Sequence, residues 1–182
     1  MTPPTVAVQT RNEPSNPPIQ DPANMPTLES ESDAVTVETR FGQMEFNQNS
    51  MVTMPRGLLG YANYREFGLA AMPDPKLGQF MVLQSLTDAE LSFVVAPLNP
   101  DGETIELSDI SDACETLSID PIKSATLLVV STRRIGNVTQ ISVNLRAPII
   151  VDTQAQQAWQ HVLPNSRYPV RQVIASANHD ED

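Results

Sequence analysis

Ile141-Ser142-Val143-Asn144-Leu145-Arg146 alternates apolar and polar residues one by one. Successive side chains of an extended chain point to opposite faces. The stretch therefore reads as a strand with Ile141, Val143 and Leu145 buried and Ser142, Asn144 and Arg146 wet. One wet face favours antiparallel pairing, because strands of an all-parallel sheet are covered on both sides and read as continuous apolar runs. Upstream, Phe93-Val94-Val95-Ala96 and Leu127-Leu128-Val129-Val130 are such runs and belong in central strands or under cover on both faces. Between 125–132 and 138–146, Arg133-Arg134-Ile135-Gly136-Asn137 supplies a Gly-containing turn, so these two runs form a hairpin with the arginine pair at its tip. Pro97 and Pro148 lack the ladder donor and mark strand ends, edges or bends.

The same pattern repeats along the chain. Short apolar or alternating runs fall at 35–39, 43–46, 51–54, 65–72, 79–86, 91–98 and 149–151, an all-β density of strands. The turn-rich Asn47-Gln48-Asn49-Ser50 pairs 43–46 with 51–54 as a hairpin. Only two segments read as helices. Ser108 caps 109–117, where Ile110, Ala113, Cys114 and Leu117 line one face at spacings of three and four, with Asp109 and Asp112 near the positive end of the dipole. The second, 153–162, has Thr153 as its cap, Trp159 as anchor and Pro164 as stop, and is equally compatible with an extended segment. Trp159 is expected to hold the C-terminal part against the sheet together with Tyr168.

Composition divides the chain of 182 residues. Residues 1–34 hold seven of the 16 prolines, no Phe, Tyr or Trp, and only scattered apolar residues. Such a segment cannot bury enough surface to offset backbone ordering at about 1 to 2 kcal/mol per residue, so it is expected to be a disordered leader. Residues 35–174 form the folded body and 175–182 an acidic tail ending in Asp180-Glu181-Asp182. The formal net charge of −11 works against direct binding to nucleic acid, whose affinity comes largely from neutralising phosphate charge. No apolar run approaches the roughly 20 residues a membrane span needs. The N-terminus lacks a basic start and apolar stretch, and the single Cys114 permits no internal disulfide, so a cytoplasmic protein is expected.

The residues offer little chemistry. Only His161 and His179 supply imidazoles, and no HExxH, Cys/His cluster, GxSxG or P-loop occurs. Cys114, on the apolar face of a helix, reads as a core residue. The paired carboxylates Asp109 and Asp112 read as capping, and Arg133-Arg134 is too small for a nucleic-acid surface. The chain reads as a binding protein rather than an enzyme, with no metal and no cofactor. Two other classes stay open: an enzyme built from His161, Arg167 and an acidic neighbour, if they converge in one pocket, and a nucleic-acid-binding barrel using Phe93 or Tyr168 as stacking platforms in a basic groove.

Several short motifs occur in a fixed order. They are Thr39-Arg40-Phe41-Gly42, Pro55-Arg56-Gly57-Leu58-Leu59-Gly60-Tyr61, Leu83-Gln84-Ser85-Leu86, Leu91-Ser92-Phe93-Val94-Val95 and Leu107-Ser108-Asp109. Near the end come Val143-Asn144-Leu145-Arg146-Ala147-Pro148-Ile149-Ile150-Val151 and Ser166-Arg167-Tyr168-Pro169-Val170-Arg171. In this order, over residues 36–172, they resemble the FliW flagellar assembly factors. The resemblance implies a compact antiparallel β-barrel-like domain that binds two proteins in the cytosol. One is flagellin, held before export. The other is CsrA, the basic translational regulator of flagellin mRNA, which FliW antagonises, so that flagellin translation follows export. Leu58, Leu59 and Tyr61 are nominated as the partner-binding residues, because a Gly-flanked loop here presents three large apolar side chains without strand periodicity. The competing expectation is that this loop folds back to plug one end of the barrel.

Overall fold

A computed structural model describes residues 34–99 and 104–178. Residues 1–33 of the expected leader and 179–182 of the tail lie outside the described residues. The first two strands, β1 (Val35–Thr39) and β2 (Gly42–Phe46), form an antiparallel hairpin of their own. Then follow β3 (Met51–Thr53), β4 (Glu66–Ala71), β5 (Met81–Ser85) and β6 (Ser92–Pro97). After the helix α1 (Leu107–Leu117) come β7 (Ser124–Ile135), β8 (Val138–Val143), β9 (Ile149–Asp152), β10 (Gln157–Gln160) and β11 (Gln172–Asn178).

Strands β3 to β7 pair antiparallel in sequence order. β7 pairs with β9, β9 with β10, and β10 meets β3 through the parallel pair Gln157 and Thr53, which closes the ring. The long β7 makes this possible. Its first part, Ser124 to Leu127, takes β9 on one edge, and its second, Val130 to Ile135, takes β8 on that same edge, with β11 outside β8. Residues 144–148 bend the chain between the two partners, and Pro148 stands at the end of the bend where its missing donor costs nothing.

Alternation along the barrel strands separates two cores. Leu127 and Ile149 point into the barrel with Met54, Phe67, Leu83 and Val95. Leu128 and Ile150 point outward and are covered by α1 through Ile110, Ala113 and Cys114, with Tyr168 buried and Trp159 partly buried in the same cluster. On the opposite side the β1–β2 hairpin covers Val82 with Met44 and Phe46. The Phe46 ring lies directly over Gly68, where a Cβ would come within 2.3 Å of Phe46 Cδ1. The antiparallel, barrel-like, mostly β architecture read from the alternation is the one found.

Three local expectations are corrected and one open choice is decided. Strand 43–46 pairs with 35–39 rather than with 51–54: Gly42, at φ +96, makes the tighter turn, and Asn47 caps a short 3₁₀ turn over Gln48–Ser50 that carries the chain from the hairpin to the barrel. For the segment 153–162, where helix and extended chain were both open, the extended reading is found, as strand β10. Asp152 Oδ1 accepts from the Gln154 and Ala155 N–H groups, Gln156 turns at φ +51, and Trp159 pairs with Ile150. Helix α1 starts at Leu107, which puts Ser108 inside its first turn; Glu106 is the N-cap and its side chain makes no capping bond. Arg133 and Arg134 sit within β7 opposite Gln140 and Thr139, and the turn is reduced to Gly136 and Asn137, with Gly136 at φ +59. Strand β11 was not anticipated, since its two large apolar residues, Val173 and Ile174, are consecutive and the rest are small or polar, which gives no alternation.

Candidate partner-binding site

Backbone bonds build the loop between β3 and β4: the Met54 N–H donates to Arg65 O at 2.7 Å, the Gly57 N–H to Met54 O at 2.9 Å, the Tyr61 N–H to Leu58 O at 2.8 Å and the Tyr64 N–H to Tyr61 O at 3.2 Å. Gly57 is required by space as well as by its φ of +63, because a Cβ there would meet Tyr61 O at 2.5 Å. The three nominated residues are divided by this geometry. Leu58 is 3% exposed and packs among the barrel-interior side chains, so it plugs the barrel end. Leu59 and Tyr61 are 59% and 41% exposed. The loop thus folds back at Leu58, which is not available to a partner, and leaves Leu59 and Tyr61 on the surface.

Several contacts fix the backbone at Leu59 and the ring of Tyr61. The Leu59 N–H donates to Gln160 Oε1 at 2.9 Å, and Gln160 Nε2 donates to Ala147 O, which ties the loop to β10. Tyr61 meets Phe93 edge to face at 5.1 Å between ring centres, and Phe93 in turn lies 6.4 Å from Phe67 in the barrel interior. Tyr64 stands 6.4 Å from Tyr61 on the other side, and its hydrogen bond to the Asp88 carboxylate raises the phenol pKa. Asp88 belongs to a turn held from below by buried Gln84. The Nε2 of Gln84 lies 3.0 to 3.2 Å from the carbonyl oxygens of Ser85, Asp88, Ala89 and Leu91. An apolar patch on a loop anchored this firmly loses little entropy on binding. The supporting roles of Gln84, Phe93 and Gln160 are invisible to a periodicity argument, because each acts across the sheet.

A second cleft of about 560 Å³ is lined by Glu106, Leu145, Arg167, Tyr168, Val173 and Ile174 among others. Arg167 is fully engaged there, with Nη1 2.7 Å from Glu106 Oε1 and Nη2 3.2 Å from Asp109 Oδ2. The guanidinium holds the Glu106 carboxyl below its usual range. The buried Tyr168 hydroxyl donates to Asp109 and accepts from the Glu106 N–H, so this cluster pins the 166–171 segment to the start of α1. His161 does not line the cleft, and partial burial lowers its imidazole pKa. The groups required by an enzymatic reading do not converge. Nor is a stacking platform open: Tyr168 is 3% exposed and Phe93 is engaged by Tyr61 and Phe67. Cys114 is fully buried, with its thiol 3.6 Å from Ser124 Oγ. Among the described residues no group of three His, Cys, Asp or Glu is placed to hold a metal, and no helix is long and apolar enough to cross a membrane.

The profile of the FliW protein family matches residues 35–174, nearly the whole of the body just described. The chain belongs to the FliW family. It is 36% identical over 136 residues to the flagellar assembly factor FliW of Syntrophus aciditrophicus, covering 73% of this chain and 82% of that one. The FliW of Bacillus pumilus is 26% identical, with 78% of this chain and 97% of that one covered. A crystal structure of the flagellar assembly factor FliW superposes with a TM-score of 0.59 at 24% identity, covering 76% of this chain and 95% of the other, and shares the fold. The FliW-family match begins at the first residue of β1 and ends inside β11, which continues to Asn178.

Proposed function

We propose that this FliW-family chain serves flagellum assembly in the cytoplasm by holding flagellin before export and by antagonising CsrA, thereby coupling flagellin translation to secretion. The observation that carries the reading is the rigid, exposed Leu59 and Tyr61 pair, on a protein whose described residues bring no catalytic groups together. An amphipathic flagellin helix would lay its apolar face on this patch. CsrA, a basic protein, would instead follow the acidity of a chain with a net charge of −11. The buried free thiol of Cys114 suits a reducing compartment.

The test is calorimetry with purified flagellin and CsrA at two ionic strengths. Leu59→Asp combined with Tyr61→Ala is expected to weaken flagellin binding at least about tenfold, or roughly 1.4 kcal/mol, with an unchanged circular dichroism spectrum. CsrA binding is expected to survive the double substitution and to fall with added salt. Unchanged flagellin affinity in the folded variant removes the patch from the proposal; no binding of either partner by the unaltered protein removes the function.

The proposed division of the chain, a leader over 1–34, a body over 35–174 and an acidic tail over 175–182 whose first four residues continue strand β11, carries its own expectation. Deleting residues 1–34 is expected to shift the melting temperature by less than about 2 °C, under roughly 1 kcal/mol for a body of this size. A broadened or lost thermal transition would move the boundary upstream.

A further inference from the structure

On the outer face of the barrel, between the β1–β2 hairpin and α1, the sheet is left uncovered over Val94 of β6, Val130 and Thr132 of β7 and Ile141 of β8. Phe80 and Met72 wall this area, and together they enclose a cavity of about 260 Å³. That is smaller than the pockets of about 300 to 1,000 Å³ that hold drug-sized ligands, so the occupant is small. Among the described residues, one polar group at this apolar cavity has no partner, and a second, a guanidinium stacked 4.8 Å from the Phe41 ring centre, has no counter-ion. Arg40, from the turn between β1 and β2, stands at its rim; its Nη2 donates to Ser92 O at 3.3 Å, and among the described residues no carboxylate lies within 4.0 Å of it. Ser92 itself lines the cavity at 8% exposure, and its Oγ has no hydrogen-bond partner.

A guanidinium without a counter-ion beside a buried hydroxyl without a partner asks for an anion that accepts from both. Hydrogen bonds in which one or both partners are charged are the stronger kind and set orientation. The apolar walls ask for a hydrocarbon attached to that anion, since a hydrated inorganic ion would leave them bare. We propose that this cavity is a binding site for a small apolar monocarboxylate, with the carboxylate on Arg40 and Ser92 and the hydrocarbon against Phe80, Val94 and Ile141. Phe93, whose ring packs against Tyr61, also lines this cavity, but the proposal does not depend on the partner reading given above.

The experiment is a methyl NMR titration of the full chain with sodium hexanoate. Saturable shifts confined to Val94, Val130 and Ile141 are expected, with hexan-1-ol at least about tenfold weaker, the equivalent of roughly 1.4 kcal/mol. Arg40→Gln is expected to lower hexanoate affinity by a similar factor, and Arg40→Lys to restore part of it. Ser92→Ala separates binding from folding: it removes a buried hydroxyl that has no partner, so it is expected to weaken binding without lowering the melting temperature. N-acetyl-leucine, run in parallel, distinguishes the source: tighter binding than hexanoate assigns the site to the end of a polypeptide, weaker binding to a free acid. Equal affinity for hexanoate and hexan-1-ol, shifts unaffected by Arg40→Gln in a folded protein, or no saturable shift with either acid overturns the proposal.

Discussion

Gln84→Glu is expected to destabilise the protein by on the order of 3 to 5 kcal/mol at neutral pH, since buried Glu pKa values rise by several units. The substitution is nearly isosteric, so packing is not the cause. An amide nitrogen now sits 3.0 to 3.2 Å from four carbonyl oxygens. A carboxylate in its place brings negative charge against negative dipoles where water does not reach. The sign with pH follows. The buried glutamate has its folded-state pKa raised above the unfolded value of about 4.3. Its penalty is smallest below pH 4, where the acid is protonated in both states and still offers one donor, and grows as pH rises toward the folded pKa. Thermal melts at pH 4 and pH 7 should show the gap from the unaltered protein widening, to roughly 10 °C or more at the higher pH. A deficit that does not change with pH would mean that the four carbonyls are not what Gln84 answers.

Gly68→Ala is the second large effect. In a strand, replacing glycine by alanine ordinarily stabilises by about 0.5 to 1 kcal/mol. Here the sign is expected to reverse, because the added methyl would come within 2.3 Å of the Phe46 ring, which is fully buried under the hairpin. Ring and methyl cannot share the site, so the β1–β2 hairpin must lift, at a cost of about 3 kcal/mol by the measure of overpacked cores. The check is a double-mutant cycle in urea. In a Phe46→Leu background the cost of Gly68→Ala should fall by at least about 1 kcal/mol. Identical costs in both backgrounds would place the strain elsewhere.

Much of the barrel was legible because Val143 and Ile149 to Val151 carry their environment in their own hydrophobicity; the alternation misled at Ser142, expected wet but 5% exposed and bonded to Ser131 Oγ, and at Ile141, which is only half-buried. What escaped depended on residues distant in the chain. Leu145 continued the alternation of β8, yet it lies in the bend after that strand, and its burial comes from the α1 cluster rather than from ladder position. Residues 153–162 have apolar spacing that fits a helix, and only the pairing of Trp159 with Ile150 makes them a strand. Strand β11 is held by β8 alone and is exposed along its whole length, so its composition bears no imprint of a core. In the candidate site the loop itself was legible from its glycines and large apolar residues. The inward turn of Leu58 and the outward turn of Leu59 and Tyr61 were not, since that choice is made by the tie from Leu59 to Gln160 and by the Phe93 ring.

That tie spans 101 residues of sequence, and the pair that closes the ring, Gln157 with Thr53, spans slightly more. Contacts this remote in sequence are slow to form, because the loop entropy must be spent before they hold. Chain synthesis proceeds at about 5 to 20 residues per second, so a nascent chain carries Leu59 and Tyr61 for several seconds before Gln160 exists to fix them. The patch therefore acquires its final geometry only after β10 has left the ribosome and docked beside β3. A chain stalled or truncated before Gln160 displays the same side chains without that anchor, so completion of synthesis becomes a precondition for presenting the surface in its finished form.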